Sequence, residues 1–239
     1  MPDTEIIQPR LPLIGDKAPE FSANTTNGPV HFPDNYAGKW VILFSHPNDF
    51  TPVCTTEFIA FQNIINELRE LNTEILGLSV GANPSHLAWF EAIEKISMNG
   101  NKVKITFPLI DDLDMSVARL YGMIHPNMST THAVRAVFII DPNGIIRTIL
   151  YYPASTGRNF NEIKRILIAL QATDAFGVST PANWEPGKPV LIGAPTTTEQ
   201  LHERLNSKKP DLDVKAWFLT FKKLGADTIL SKLHKKSAK

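Results

Sequence analysis

An alternation of strand-like and helix-like segments runs through the first 176 residues and constrains the fold more than any other feature of the chain. Residues 39–45 form a short apolar run that ends before a proline, which is typical of a buried strand. In residues 52–71 apolar side chains recur three or four positions apart and mark one face of a helix. A second buried strand is predicted at residues 74–80. Strand, helix and strand together indicate a βαβ unit with parallel strands.

The same alternation continues towards residue 176. The sequence Asp-Pro-Asn-Gly at residues 141–144 is a strong signal for a hairpin turn between two strands. Four or five central strands with helices on both faces make an α/β sandwich. The further predicted elements are helices at residues 85–98 (with Ser85 as N-cap), 116–121 and 159–172, and strands at residues 105–110, 136–140 and 145–151.

The character of the chain changes after Gly177. Residues 180–189 contain three prolines and a glycine, and this composition predicts an extended linker. One further helix is predicted at Thr198–Leu205, followed by aromatic residues at positions 217, 218 and 221. Because this part of the chain has few periodic segments, it is not expected to form a hydrophobic core of its own. We expect it to pack on the main domain or on another subunit. We therefore divide the chain into a main domain, residues 1–176, and a C-terminal extension, residues 177–239.

Charge and composition exclude several classes of partner. The chain of 239 residues has 24 basic and 24 acidic side chains, so it has no general attraction to nucleic acid or to anionic membranes. Residues 222–239 hold six lysines, which we interpret as a solvated, partly frayed end. The longest apolar stretches are too short to span a bilayer, and residues 1–15 lack the pattern of a targeting segment. We expect no nucleic-acid partner and no membrane partner.

The chain contains a single cysteine, Cys54. One cysteine excludes an internal disulfide and a cysteine-rich zinc site, and it fits a reducing compartment. We therefore expect a cytoplasmic protein. The seven histidines show no ligand spacing and no phosphate-binding loop is present, so we expect no metal and no nucleotide cofactor.

The position of Cys54 indicates chemistry. Thr51-Pro52 is a helix-start signal, with threonine as the N-cap and proline at the first helical position. Cys54 is thus predicted in the first helical turn, where free N–H groups and the helix dipole stabilise a thiolate. Open α/β sheets place their sites at the carboxyl ends of strands, and this helix follows such an end. These features favour a reactive Cys54 over the alternative of a small buried apolar side chain.

Residues 46–57, His-Pro-Asn-Asp-Phe-Thr-Pro-Val-Cys-Thr-Thr-Glu, resemble the peroxidatic-cysteine motif of peroxiredoxins, Pro-x-x-x-Thr-x-x-Cys, in the form typical of the one-cysteine group. Residues 156–160 and the proline-rich segment around Trp184 are similar as well, so the resemblance covers most of the chain. It implies a thioredoxin-like fold, with a central mixed sheet between helices. It also implies a thiol peroxidase, whose cysteine thiolate attacks a peroxide oxygen, releases water or an alcohol and becomes a sulfenic acid.

The resemblance also implies roles for individual residues. Cys54 corresponds to the nucleophile, Thr51 to a hydrogen-bond partner of the peroxide, and Pro47 to a shield that keeps water from the sulfenate. Arg135, just before a later strand, corresponds to the arginine that stabilises the thiolate and orients the peroxide through its fixed fork of donors. From position alone, Arg135 would instead be a solvated strand end.

Three further residues are predicted to support this site. His46 stands where one-cysteine relatives have a histidine near the thiol; a purely structural role at the strand end is the alternative. Glu57 lies one turn after the cysteine and Arg158 is its predicted partner, with a surface ion pair as the alternative.

The chain departs from the family pattern at two points. The sequence around residues 215–219 resembles the tails of archaeal relatives in which two cysteines flank a Trp-Phe pair, but here Asp213 and Leu219 stand at those positions. The cycle therefore needs an external thiol, either a small thiol or a thioredoxin-like protein. Gly38-Lys39-Trp40 also lacks the serine that a second, lipase activity of some mammalian relatives requires, so that activity is not expected here.

The resemblance further predicts hydrogen peroxide and alkyl hydroperoxides as substrates, and a homodimer that assembles into a decameric ring. Two other functions are considered. One is a hydrolase in which Cys54 attacks a carbonyl carbon, although no pattern for an oxyanion hole is present. The candidate bases of the hydrolase are His46, His86, His125 and His132. The other is an oligomeric holdase or scaffold whose aromatic tail packs between subunits.

Overall fold

The computed structural model describes residues 11–98 and 101–237, which form two compact units. The first unit consists of the residues up to Asn66 together with Thr73–Arg158, and the second consists of Glu67–Asn72 together with the residues from Asn159 onward. The prediction about a targeting segment falls largely on residues 1–10, which lie outside the described residues, as do residues 238 and 239 of the lysine-rich end. Within the described ranges, no helix is both long enough and apolar enough to cross a membrane.

The first unit is built on a seven-stranded mixed sheet. The elements of this unit are β1 Phe21–Thr25, β2 Gly28–Phe32, β3 Trp40–Ser45, α1 Pro52–Glu70 (whose last turn belongs to the second unit), β4 Thr73–Ser79, α2 Asn83–Lys95, the hairpin β5 Ser97–Met98 and β6 Asn101–Lys102, β7 Leu109–Asp111, α3 Ser116–Leu120, β8 Arg135–Ile140 and β9 Ile146–Tyr152. The strands of the sheet follow the order β2-β1-β7-β4-β3-β8-β9. The pairs β3/β4 and β4/β7 are parallel and the other neighbouring pairs are antiparallel. This architecture confirms the predicted mixed α/β class.

The predicted βαβ unit is present as β3, α1 and β4. All six residues of β3 are buried, which explains why its sequence is apolar without alternation. β3 and β4 pair in parallel from Trp40 opposite Thr73 to Ser45 opposite Leu78. The predicted hairpin is formed by β8 and β9. The sheet nevertheless has more than the four or five strands expected, because β1 and β2 form a further hairpin around Asn27-Gly28 that the periodicity did not reveal.

The second helix begins and ends earlier than predicted. α2 starts at Asn83, with Ala82 in extended conformation as its cap, so Ser85 is not the N-cap. Pro84 lies in the first turn, where the missing N–H group leaves no hydrogen bond unmade. The helix ends at Lys95, and the chain continues into β5.

The strand predicted at residues 105–110 is also shorter in the structure. Only Leu109–Asp111 is assigned to β7. Pro108 immediately precedes this strand and has no N–H group to donate to a neighbouring strand, so it limits the strand at its start.

The second unit contains more regular structure than the sequence indicated. Its elements are α4 Phe160–Phe176, β10 Val190–Leu191, α5 Thr198–Leu205, β11 Leu212–Ala216, β12 Leu219–Lys222 and α6 Ala226–Ser237. α5 has the predicted bounds, whereas α6 and the antiparallel sheet β10-β12-β11 were not predicted. The proline-rich segment is anchored rather than free, because the fully buried Trp184 donates from its indole nitrogen to the carbonyl of Lys188. Whether residues 177–239 act as a separate extension stays a prediction.

Candidate active site

Cys54 lies in the first turn of α1, directly beyond the carboxyl end of β3. The helix begins at Pro52, as predicted, and the carbonyl of Thr51 accepts the first helical hydrogen bond, from Thr55 N at 3.0 Å. The thiol is free and the residue is 0% exposed. Burial alone would fit a small core residue, so the groups around the sulfur decide which interpretation holds.

The charged group that contacts the sulfur is the guanidinium of Arg135, the first residue of β8. Its Nη1 lies 3.3 Å from Cys54 Sγ and 2.7 Å from Glu57 Oε2. Its Nε and Nη2 donate to the carbonyl of Ala154 at 3.1 and 2.7 Å. Three nitrogens are thus held by fixed acceptors, which directs a rigid positive charge at the sulfur. Arg135 is buried, which contradicts the alternative of a solvated strand end.

Glu57 orders this arginine and connects it with a second one. Its carboxylate accepts from Arg158 Nε at 2.9 Å, from Arg158 Nη2 at 2.7 Å and from the Arg158 backbone N–H at 2.8 Å. Burial would raise the pKa of Glu57, but the charge and hydrogen bonds of Arg158 and the charge of Arg135 hold that pKa below its ordinary value. Glu57 is 2% exposed, so the three groups form a buried network and not a surface ion pair.

Arg158 also joins the ends of two strands. Its Nη1 donates to the carbonyls of Ser45 in β3 and Ala136 in β8, both at 2.9 Å. The Ser45 hydroxyl strengthens the same junction, since it donates to Val134 O at 2.6 Å and accepts from Ala136 N at 3.1 Å. The end of β3, which leads to Cys54, is therefore fixed to the start of β8, which carries the arginine.

His46 faces a carboxylate. Its Nε2 lies 3.1 Å from Asp49 Oδ1, and the ring packs at 4.8 Å from the ring of Phe58 and at 5.1 Å from that of Trp89. Burial lowers the pKa of His46, and the hydrogen bond and charge of Asp49 only partly oppose this effect. The imidazole is therefore neutral at physiological pH.

Asp49 and Ser85 were not predicted to be parts of the site, and His86 was predicted only as a possible base of a hydrolase. Ser85 Oγ and His86 Nδ1 both contact Asp49 Oδ2, at 2.7 and 2.8 Å. The only available signal was the position of Asp49 within the cysteine motif, because its partners on α2 are about 36 residues away along the chain.

Thr51 and Pro47 flank the start of the helix. The Thr51 hydroxyl donates to Asn48 O at 2.9 Å, which leaves its lone pairs as acceptors. Pro47 is half-buried between β3 and α1. The roles that the motif implies for both residues stay predictions.

The candidate bases of a hydrolase have other partners. Within the described residues, the ring hydrogen bonds of His46 and His86 run to Asp49, and those of His132 run to Ser129 and Thr131. The ring of His125 packs at 5.0 Å from that of Tyr151. The group that contacts the sulfur is a guanidinium, which suits a thiolate and a peroxide better than a general-base mechanism. No cluster of three or more metal-ligating side chains occurs among the described residues.

Comparisons with known proteins give the family. The AhpC/TSA family model matches residues 14–149, and the model for the C-terminal domain of 1-Cys peroxiredoxin matches residues 169–208. A peroxiredoxin of Methanosarcina mazei is 56% identical over 89% of this chain and 98% of its own length. The chain belongs to the peroxiredoxin family. A second relative, peroxiredoxin 2 of Caldanaerobacter subterraneus subsp. tengcongensis, is 52% identical over 93% of this chain and 100% of its own length.

Solved structures of peroxiredoxins agree with this assignment. The yeast mitochondrial 1-Cys peroxiredoxin is similar with a TM-score of 0.78 and 38% identity, over 89% of this chain and 99% of that one. A cysteine-to-serine mutant of peroxiredoxin 6 of Arenicola marina also has a TM-score of 0.78, with 33% identity over 88% of this chain and 97% of that one. The thioredoxin-like fold of peroxiredoxins is thereby confirmed, and the protein is a thiol-dependent peroxidase, an oxidoreductase.

Proposed function

We propose that Cys54 is the peroxidatic nucleophile and that it reduces hydrogen peroxide and alkyl hydroperoxides. The observation that supports this most directly is the 3.3 Å contact between Arg135 Nη1 and Cys54 Sγ. The thiolate attacks one peroxide oxygen, the O–O bond breaks, and the other oxygen leaves as hydroxide or alkoxide and takes a proton. The sulfur is oxidised to a sulfenic acid and the peroxide is reduced to water or an alcohol.

The arginine has two tasks in this proposal. Its positive charge stabilises the thiolate before attack and the charge on the departing oxygen during attack. Because Glu57 and Ala154 already hold the guanidinium, little reorganisation is needed when the peroxide binds. Thr51 binds the peroxide and Pro47 limits access of water to the sulfenate. Arg158 and His46 do not contact the peroxide in this proposal. Arg158 holds Glu57, and His46 holds the chain that leads to Cys54.

The catalytic cycle is completed by an external thiol, either a small thiol or a thioredoxin-like protein. The chain has one cysteine, so the sulfenic acid has no second thiol within the same chain to condense with. A first external thiol forms a mixed disulfide and releases water, and a second thiol then restores Cys54 and leaves as the oxidised disulfide. The yeast mitochondrial 1-Cys peroxiredoxin resolves its thiol via glutathione and thioredoxin systems, which supports the same two reductant classes here.

Assembly and location form a further part of the proposal. We assign residues 1–176 to the peroxidase domain and residues 177–239 to an extension that contacts a second subunit within a homodimer, with dimers joined in a decameric ring. The exposed Trp217 and Phe218, 42% and 61% accessible in the turn between β11 and β12, support an apolar contact there. A single, unpaired cysteine supports a cytoplasmic location, where thiols stay reduced.

A stoichiometric reaction tests the catalytic proposal. Reduced protein is mixed with one equivalent of hydrogen peroxide in a stopped-flow instrument, and the sulfenic acid is trapped with dimedone and located by mass spectrometry. We expect loss of peroxide in less than a second and a single adduct on Cys54, with neither in the Cys54→Ser variant. A wild-type thiol that stays reduced under these conditions would contradict the proposal. Steady-state turnover with a small thiol and with a thioredoxin-like protein then identifies the reductant class.

A further inference from the structure

One carboxylate, that of Asp49, collects hydrogen bonds from three side chains beside the active site. His46 Nε2 contacts Oδ1 at 3.1 Å, and Ser85 Oγ and His86 Nδ1 contact Oδ2 at 2.7 and 2.8 Å. The Asp49 side chain is 7% exposed and both imidazoles are completely buried. We call these four residues the Asp49 cluster. His46 and Asp49 lie within the motif of residues 46–57, but none of the four residues belongs to the network around Arg135.

The charge of Asp49 determines the tautomers of both histidines. Burial would raise the pKa of Asp49, but the hydrogen bonds from His46, His86 and Ser85 lower it, so the carboxylate is ionised and only accepts. His46 must therefore carry its proton on Nε2, and His86 must carry a proton on Nδ1. The opposite ring nitrogens, His46 Nδ1 and His86 Nε2, have no hydrogen-bond partner within the described residues. One carboxylate thus sets the orientation of two buried imidazoles.

The cluster ties the segment before Cys54 to α2. His46 directly follows β3, and Asp49 lies three residues before the start of α1, whereas Ser85 and His86 lie in the first turn of α2. A second contact follows on the same helix, since Trp89 Nε1 donates to Thr55 Oγ1 at 3.3 Å. α2 thus holds the chain on both sides of Cys54, just before α1 begins and one residue after the cysteine.

The attachment of the residue 46–54 segment to α2 affects the contact between Arg135 and the Cys54 sulfur. Arg135 is held by the carbonyl of Ala154 and by Glu57, which lies on α1 one turn after Cys54, so the 3.3 Å distance to Cys54 Sγ also depends on how the start of α1 is held. We propose that Asp49 is a positioning residue of the peroxidase reaction, which holds the residue 46–54 segment against α2 through His46, Ser85 and His86 and thereby keeps the Cys54 sulfur beside Arg135. This inference rests on the catalytic role of Cys54 proposed above.

The test uses Asp49→Asn and, as a milder change, Ser85→Ala. An asparagine retains one acceptor oxygen but turns an N–H₂ group to the other partners, so one histidine loses its acceptor. We expect sulfenic acid formation with one equivalent of hydrogen peroxide to be at least about 10-fold slower in Asp49→Asn, since a displacement near 1 Å costs up to about 100-fold. Ser85→Ala should slow it in the same direction by less. In ¹⁵N NMR spectra the wild type should show His46 protonated on Nε2 and His86 on Nδ1, and Asp49→Asn should change one of these tautomers.

A matched pair of controls exists in the same unit. Asp112 is also a buried carboxylate, but it accepts from the backbone N–H groups of Val117 and Ala118 and from the Ser116 hydroxyl at the start of α3. Asp112→Asn and Ser116→Ala should lower the melting temperature and leave the rate of peroxide reaction unchanged.

Equal rates in Asp49→Asn and Asp112→Asn would overturn the inference, and so would the reverse tautomers in the wild type. If Asp49→Asn does not fold, the test rests on Ser85→Ala. A rate of sulfenic acid formation in Ser85→Ala equal to that in Ser116→Ala would refute the positioning role of Asp49. A wild-type protein that leaves Cys54 reduced refutes the proposed function itself. The two failures are therefore distinguishable.

Discussion

Replacing Glu57 by glutamine removes the carboxylate that the two buried arginines of the site share. The Glu57 carboxylate accepts four hydrogen bonds, one from Arg135 and three from Arg158. A glutamine keeps one acceptor oxygen and places an N–H₂ group against N–H donors. Removing one partner of a buried ion pair costs about 3–5 kcal/mol, because the remaining charge stays buried without compensation. Such a loss is a large part of the ordinary stability of a domain, about 5–15 kcal/mol.

The effect of Glu57→Gln should depend on pH with a defined sign. The pKa of Glu57 in the folded protein lies below its ordinary value of 4.5. Its ionised form therefore stabilises the native state fully above that ordinary value, and this contribution is lost as the pH falls through the lower folded-state pKa. The difference in unfolding free energy between wild type and variant should be constant around neutral pH and should shrink under acid conditions below about pH 4.

Unfolding by guanidinium chloride, followed by circular dichroism, measures this difference in unfolding free energy. The stopped-flow peroxide assay measures whether the loss of the Glu57 carboxylate also impairs the function of Arg135. Glu162→Gln is the matched control, because Glu162 binds Arg165 through two hydrogen bonds of 2.6 and 2.9 Å but is 39% exposed. An exposed pair contributes about 0–1 kcal/mol. We expect Glu57→Gln to lose about 3–5 kcal/mol and to react more slowly with peroxide, and Glu162→Gln to do neither. Equal losses in the two variants, or a difference that does not shrink in acid, would refute the reasoning.

Substitutions at three further positions test the site and the assembly. Arg135→Lys should slow oxidation of Cys54 by about 100-fold in the stopped-flow assay, because one ammonium cannot contact the sulfur, Glu57 and a carbonyl in the same fixed geometry; an unchanged rate would remove the arginine from the mechanism. Thr51→Val should slow the peroxide reaction while Thr51→Ser retains it, since the role proposed for Thr51 belongs to its hydroxyl group; equal rates for both variants contradict that role. Trp217→Ala should shift the protein to smaller species in sedimentation velocity if the exposed turn packs between subunits, and an unchanged distribution would exclude it from the interface.

The start of α1 was predictable because its signals are local. Pro52 favours the first helical position through its fixed φ and its missing N–H group, and Cys54 falls in the first turn as a consequence of spacing. The βαβ unit was equally visible, because β3 and the face of α1 carry their periodicities within short windows. The N-terminal hairpin escaped prediction because β1 is a partly exposed strand with few large apolar residues.

The second unit shows where local reasoning fails. β11 alternates apolar and polar residues over only five positions and buries none of them, and β12 buries only Thr220, so the local pattern was too short and too exposed to predict their pairing. α6 is rich in lysine and was interpreted as a solvated end, yet it buries Ile229 and Leu233 on one face. A face of two buried residues becomes recognisable as a helix only when its packing surface is known.

By itself, the sequence determined where the lone cysteine lies: Cys54 is at the start of a helix that follows a buried strand, and this position predicts a reactive thiol that an external thiol would have to restore. The tertiary structure decided what surrounds the sulfur. Arg135 is 81 residues from Cys54, Arg158 is 101 residues from Glu57, and His86 is 37 residues from Asp49. The signals for a helix start or a strand period lie within a few neighbouring residues. Contacts between charged groups that are distant along the chain exist only after the sheet has brought the ends of β3 and β8 together.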